Sequence, residues 1–108
     1  MAQSSLLHGT LDALVLRTLG EGACHGYGIA RYLEETTDGA LEIEEGSLYP
    51  ALYRLERRGL LAADWRESDT GRKAKFYRLT REGRGQLARE TKAWAAFSAA
   101  VSRVLLPA

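Results

Sequence analysis

The chain contains 108 residues, of which 45% are hydrophobic and 27% charged, and its formal net charge is +1. This length suits one domain, and the apolar content excludes a disordered tail or a low-complexity linker. One cysteine and two histidines exclude an internal disulfide and a structural metal centre, and no apolar run could span a bilayer, so we expect a cytoplasmic protein without cofactors.

Two amphipathic helices are predicted in the first third of the chain. The first extends from Thr10 to Glu21, and the second extends from about His25 or Gly26 to Thr36. Asp38-Gly39 is typical of the turn that follows such a helix. Apolar side chains at helical spacing predict the inward faces, which consist of Leu11, Leu14, Val15, Leu19, Ile29, Ala30 and Leu33.

A third helix is predicted to begin near Ser47, whose hydroxyl would cap free backbone N–H groups, and to end at Gly59. Pro50 then falls in the first turn, where its missing N–H costs little. The predicted core stripe is Leu48, Ala51, Leu52 and Leu55. The opposite arc, which must face outward, is Ser47, Pro50, Tyr53, Arg54 and Arg57.

A β-hairpin is predicted next, with strands from Leu60 to Arg66 and from Lys75 to Leu79 and a turn at Thr70-Gly71. Residues 1–45 hold two basic and eight acidic side chains, residues 46–81 nine and four, and residues 82–108 four and two. Positive charge is therefore concentrated in the third helix and the hairpin, which is where a polyanionic partner would dock. Charge alone does not decide between such a partner and a solvated basic face, which is common. The basic cluster around the turn consists of Arg66, Arg72, Lys73 and Lys75.

The last segment, opened by Thr80 with Gly83, is helical from Gln86 to Leu106. Its apolar face extends too far from the core to be covered by it, so it needs a partner. We expect a two-fold dimer that also uses Leu16 and the Leu6-Leu7 pair. The heptad-like stripe is Leu87, Thr91, Trp94, Ser98, Val101 and Leu105, with Phe97 and Val104 beside it.

This order of elements predicts a mainly α (α+β) fold, a winged helix-turn-helix. It would have a three-helix core, a two-stranded β wing and a long C-terminal dimerisation helix. Residues 1–83 would form a DNA-binding domain and residues 84–108 the dimerisation helix, as one structural unit.

A glycine-loop nucleotide site is excluded because Gly20, Gly22 and Gly26 follow a helix and not a strand. Cys24 and His25 have no third orienting group, so we do not expect an enzyme.

Several blocks of residues form a specific combination. They are His25-Gly26-Tyr27-Gly28-Ile29, Ser47-Leu48-Tyr49-Pro50-Ala51-Leu52, Gly59-Leu60-Leu61 and Lys75-Phe76-Tyr77-Arg78-Leu79-Thr80, with Trp65 in the first wing strand. Together they resemble the PadR family over residues 11–83. The resemblance implies a short, dimeric transcriptional regulator, usually a repressor, whose third helix enters the major groove of double-stranded DNA and whose wing contacts the flanking backbone.

Residue roles follow from the resemblance by matching position. The third helix would contribute Ser47, Tyr49, Pro50, Tyr53 and Arg54, and the wing would contribute Arg72, Lys73 and Lys75. The outward arc adds Arg57. Tyr49 lies toward the flank of the helix, so packing or a phosphate contact are alternatives for it.

Two alternatives remain open from the sequence. Trp94 and Phe97 are either plain dimer-interface core or, as in multidrug-sensing relatives, the lining of a cleft for a flat aromatic or hydrophobic effector. The winged helix could also be a protein-interaction module without specific DNA binding. Retention on duplex DNA at low salt discriminates these two functions, because phosphate contacts weaken as salt rises.

Overall fold

In this computed structural model the described residues are 10–107. They form four α-helices and three β-strands, in the predicted order of three helices, a hairpin and a long helix. None of these helices is both long and apolar enough to cross a membrane. The elements are α1 (Leu11–Gly20), β1 (Cys24–His25), α2 (Gly26–Thr36), α3 (Glu45–Arg57), β2 (Leu61–Glu67), β3 (Lys73–Leu79) and α4 (Arg81–Leu105).

The sheet is antiparallel, with strand order β1-β3-β2. In the hairpin, Leu61 pairs with Leu79 at the base and Glu67 pairs with Lys73 near the tip. The short strand β1 pairs with the other edge of β3. The predicted two-stranded wing is confirmed as the hairpin of β2 and β3. The additional strand β1 was not predicted, because a strand of two residues leaves no periodic pattern in a sequence.

The core lies between α1, α2, α3 and the base of the hairpin. The predicted inward stripe of α3 is confirmed, since its four members are at most 1% exposed. Leu16, which we predicted at a dimer seam, is fully buried in this core. The prediction was wrong because α1 is central and contacts α2, α3, β3 and α4, which leaves little of its surface free. The predicted Leu6-Leu7 partners lie outside the described residues.

The start of α3 differs from the prediction. Glu44, in extended conformation, is the N-cap residue, and Ser47 lies inside the first turn with its N–H donating to the Glu44 carbonyl at 3.0 Å. Pro50 consequently lies in the second turn. Acidic residues at the start of a helix interact favourably with its dipole, and Glu44 and Glu45 supply that signal three and two residues before Ser47.

The helix α4 begins earlier than its apolar pattern indicated. The Thr80 hydroxyl accepts a hydrogen bond from the Gly83 N–H at 3.0 Å and donates one to the Gly59 carbonyl at 2.7 Å. This cap starts the helix at Arg81, where two glycines obscure the periodicity. The first part of α4 packs on the body through Leu87, and its later turns extend beyond the core.

Candidate nucleic-acid interface

The outer face of α3 presents a tyrosine and an arginine as one unit. Tyr53 is 61% exposed. The Arg57 guanidinium donates to the Tyr53 hydroxyl at 3.1 Å, and its central carbon lies 5.7 Å from the ring centre. The two side chains therefore expose a cation and a phenol side by side on the protein surface, one helical turn from the exposed ring of Pro50.

Arg54 extends from the same face toward α1. Its Nη2 atom donates to a carboxylate oxygen of Asp12 at 3.0 Å, with side chains that are 56% and 32% exposed. The pair holds the arginine at the edge of the helix while about half of its side chain remains accessible. Sequence reasoning missed Asp12, because the two residues are 42 positions apart and no local pattern connects them.

The three basic side chains predicted to bind DNA from the wing fall into two groups. Arg72 and Lys73, at the tip, are exposed and have no ion pair within the part of the chain that the structure describes. Lys75, nearer the base, donates to Glu56 of α3 at 3.1 Å, and this hydrogen bond raises the pKa of the lysine. The tip cations are thus free for an anionic partner, whereas Lys75 links the hairpin to α3.

Tyr49 turns away from the outer face of α3. Its hydroxyl lies so close to Gly26 that a β-carbon on that glycine would be 2.6 Å from it. The ring therefore packs over the start of α2, and 45% of the residue remains exposed. Packing is the first of the two alternatives considered for Tyr49, and the phosphate contact stays a prediction.

Tyr49 borders an open cleft of about 780 Å³ between the start of α2, α3 and the hairpin, which we call the wing cleft. Its aromatic lining residues are Tyr27, Tyr32, Tyr49, Trp65 and Tyr77. Its basic lining residues are Arg31, Arg72, Lys73 and Lys75. No site role was predicted for Tyr27, Tyr32 or Trp65. For Trp65 a signal was present, because Leu61, Ala63 and Trp65 alternate along one strand and therefore share one of its faces.

The remaining reactive side chains have structural roles. Burial raises the pKa of the Cys24 thiol, which keeps the thiolate nucleophile scarce at neutral pH. His25 Nδ1 accepts a hydrogen bond from the Gly28 N–H at 2.9 Å and caps α2, while its ring meets Phe76 at 5.0 Å. Across residues 10–107, no three His, Cys, Asp or Glu side chains cluster as metal ligands would.

The outer turns of α4 expose the predicted apolar stripe. Trp94 and Phe97 are 54% and 63% exposed, with ring centres 6.4 Å apart. Val101 is half-buried, and Leu87 packs partly on the core. The stripe therefore has two parts: its first turn packs against the core, and its later turns are exposed to solvent.

Comparisons with known proteins agree with this geometry. Residues 15–89 match the Transcriptional regulator PadR-like family. The transcriptional regulator Rv3488 of Mycobacterium tuberculosis is 34% identical over 79 residues, which cover 73% of this chain and 70% of the relative. A transcriptional regulator from Clostridium thermocellum superposes with a TM-score of 0.83 at 27% identity, over 92% of this chain and 96% of that one. A PadR-like regulator from Bacillus cereus gives a TM-score of 0.82 at 27% identity, over 96% and 99%.

Proposed function

Because this chain belongs to the Transcriptional regulator PadR-like family, whose members regulate transcription and are not enzymes, we propose that it binds a palindromic operator as a homodimer and represses transcription. The observation that carries this proposal is the outer face of α3. It presents Tyr53, Arg54 and Arg57 to solvent beside a hairpin with two free cations at its tip.

The two elements have different tasks in this proposal. Arginine pairs with two acceptors on a guanine edge, so Arg54 and Arg57 suit base recognition in the major groove, with Ser47, Pro50 and Tyr53 beside them. Arg72 and Lys73 suit phosphates or an adjacent minor groove, which adds salt-dependent affinity without sequence choice. Lys75 holds the wing against α3 through its ion pair with Glu56, and its positive charge remains near the proposed DNA surface.

The outer part of α4 supports the dimer. Exposed apolar side chains on one helical face lose contact with water when a second copy covers them. A two-fold axis through this helix would carry two α3 helices toward successive major grooves, about 34 Å apart along the duplex. Trp94 and Phe97 would then lie at the dimer centre, where a flat aromatic or hydrophobic effector could release the operator.

The proposal is tested by selecting bound duplexes from a random pool and measuring the affinity of the enriched duplex by fluorescence anisotropy. We expect a two-fold symmetric site and an affinity that falls steeply with salt. Binding to no duplex at low salt would contradict DNA recognition and favour the protein-interaction module.

Two substitutions separate the tasks of helix and wing. We expect Arg54→Ala to weaken binding to the enriched duplex by about 1 to 3 kcal/mol and to relax base preference. Lys73→Ala should weaken binding evenly across sequences and lower the salt slope by about 1. Identical changes in both variants would contradict the assigned roles.

A further inference from the structure

Glu56 is an acidic residue in the last turn of α3, where the other charged side chains are Arg54 and Arg57. It follows the fully buried Leu55, and its own side chain is 34% exposed. A carboxylate does not bind phosphate, because like charges repel. If α3 meets DNA, Glu56 therefore acts in some way other than by contact with the duplex backbone.

The partner of Glu56 is Lys75, on strand β3 of the wing. The Lys75 Nζ atom donates to Glu56 Oε1 at 3.1 Å, across 19 positions of sequence. The same Nζ atom lies 5.4 Å from the ring centre of Tyr77, which is buried at the base of the hairpin. A carboxylate on α3 and an aromatic face on β3 thus attract one ammonium group and restrict its position.

The position of this pair along the hairpin gives it mechanical importance. The base of the hairpin is anchored by Leu61 and Leu79, which pair in register and are buried in the core. Lys75 lies beyond that base, and the tip cation Lys73 follows two residues farther along the strand, about 7 Å away. A change in the angle of the hairpin at Lys75 would therefore move the tip cations relative to α3.

We propose that Glu56 is a positioning residue, which fixes the angle between the wing and α3 by binding Lys75. With this angle fixed, Arg72 and Lys73 reach the flanking backbone as α3 enters its groove, and less conformational freedom is lost on binding. Helix and wing then act as two linked modules, whose joint affinity depends on their geometry. This inference rests on the proposed function and assigns Glu56 a role in affinity without contact to DNA.

The direction of the change in affinity separates positioning from a simple effect of charge. Removing a carboxylate near DNA strengthens binding if charge alone matters, because repulsion from the phosphates decreases. We expect Glu56→Ala instead to weaken binding to the enriched duplex about fivefold, measured by anisotropy. Glu67→Ala is the matched control. It removes the same charge from an exposed site on β2, opposite Lys73 in register, and should not weaken binding.

The salt dependence of binding shows whether the wing has lost its phosphate contacts. We expect the slope of log affinity against log salt to become shallower by about 1 to 2 in Glu56→Ala, because the two tip cations no longer reach phosphates reliably. A partly unfolded variant would lower the active fraction without changing this slope. Lys73→Gln should also weaken binding less in the Glu56→Ala background than alone, because the two changes act on one contact.

Glu56→Gln is the second variant and the one that decides if Glu56→Ala does not fold, which circular dichroism shows. Its amide oxygen still accepts a hydrogen bond from Lys75 but carries no charge, so we expect changes in the same direction and about half as large on a logarithmic scale. An unchanged salt slope, or an affinity that rises as charge alone predicts, would overturn the role of Glu56 and leave the proposed function standing. If the unsubstituted chain binds no duplex, the proposed function itself fails.

Discussion

The winged body, residues 10–90, and the outer helix, residues 91–105, place their apolar side chains differently. In the body, Ile29, Leu52 and Leu55 are fully buried. On the outer helix, Phe97 is 63% and Val104 78% exposed. The body therefore derives its stability from contacts within one chain. The apolar face of the outer helix, in contrast, contributes hydrophobic stabilisation only when another molecule covers it.

A cavity in the body should have the largest effect on the free energy of unfolding. Leu52 is fully buried in α3, so Leu52→Ala removes apolar contacts and leaves a void. We expect a loss of about 2 to 5 kcal/mol, measured by urea unfolding. A loss below about 1 kcal/mol would mean that the core is less closely packed than the burial of its side chains indicates.

A charge on the outer helix should break the proposed dimer and leave the body folded. Phe97→Glu would bury an unpaired carboxylate between subunits, so we expect the dissociation constant to rise at least about 30-fold, or 2 kcal/mol. Sedimentation velocity measures this change, and circular dichroism should show the helices of the body intact. Ala96→Glu is the matched control, because Ala96 is exposed on the side of the same helix that faces away from the centre of the apolar stripe. If both variants dissociate equally, or if neither dissociates, the outer helix is not part of the interface.

The elements that could be predicted from the sequence are those with a long pattern. The stripe of α3 and the alternation in the hairpin extend over several residues, and each identifies a buried face. The misplaced features depend on contacts between distant segments. Leu16 has the spacing of a surface residue but lies in a helix covered on several sides, and the partner of Arg54 is on α1. The wing cleft, too, exists only once α2 and the hairpin have come together.

The first turns of α4, within the body, offer a matched pair of glycines. A β-carbon at Gly83 would overlap the Leu60 carbonyl, which is backbone and cannot move aside cheaply, whereas at Gly85 it would meet only the flexible end of Arg89. We expect Gly83→Ala to destabilise the chain by about 1 to 3 kcal/mol. Gly85→Ala should stabilise it by about 0.5 to 1 kcal/mol, because alanine favours the helix. Thermal unfolding of both variants shows whether each substitution raises or lowers the stability of the chain. If both raise it or both lower it, this packing of α4 is contradicted.

The smallest expected effect concerns Asp12, whose carboxylate holds Arg54 at 3.0 Å on the surface of the body. Asp12→Asn removes a negative charge beside the proposed DNA surface and frees the guanidinium for any phosphate. We expect affinity for a scrambled duplex to rise by up to about threefold, within the range of an exposed ion pair, so that preference for the enriched duplex falls. Glu21→Gln is the control, since it makes the same charge change in the Arg17–Glu21 pair near the end of α1. If both variants shift the preference equally, the effect is one of net charge, and Asp12 does not position Arg54 for recognition.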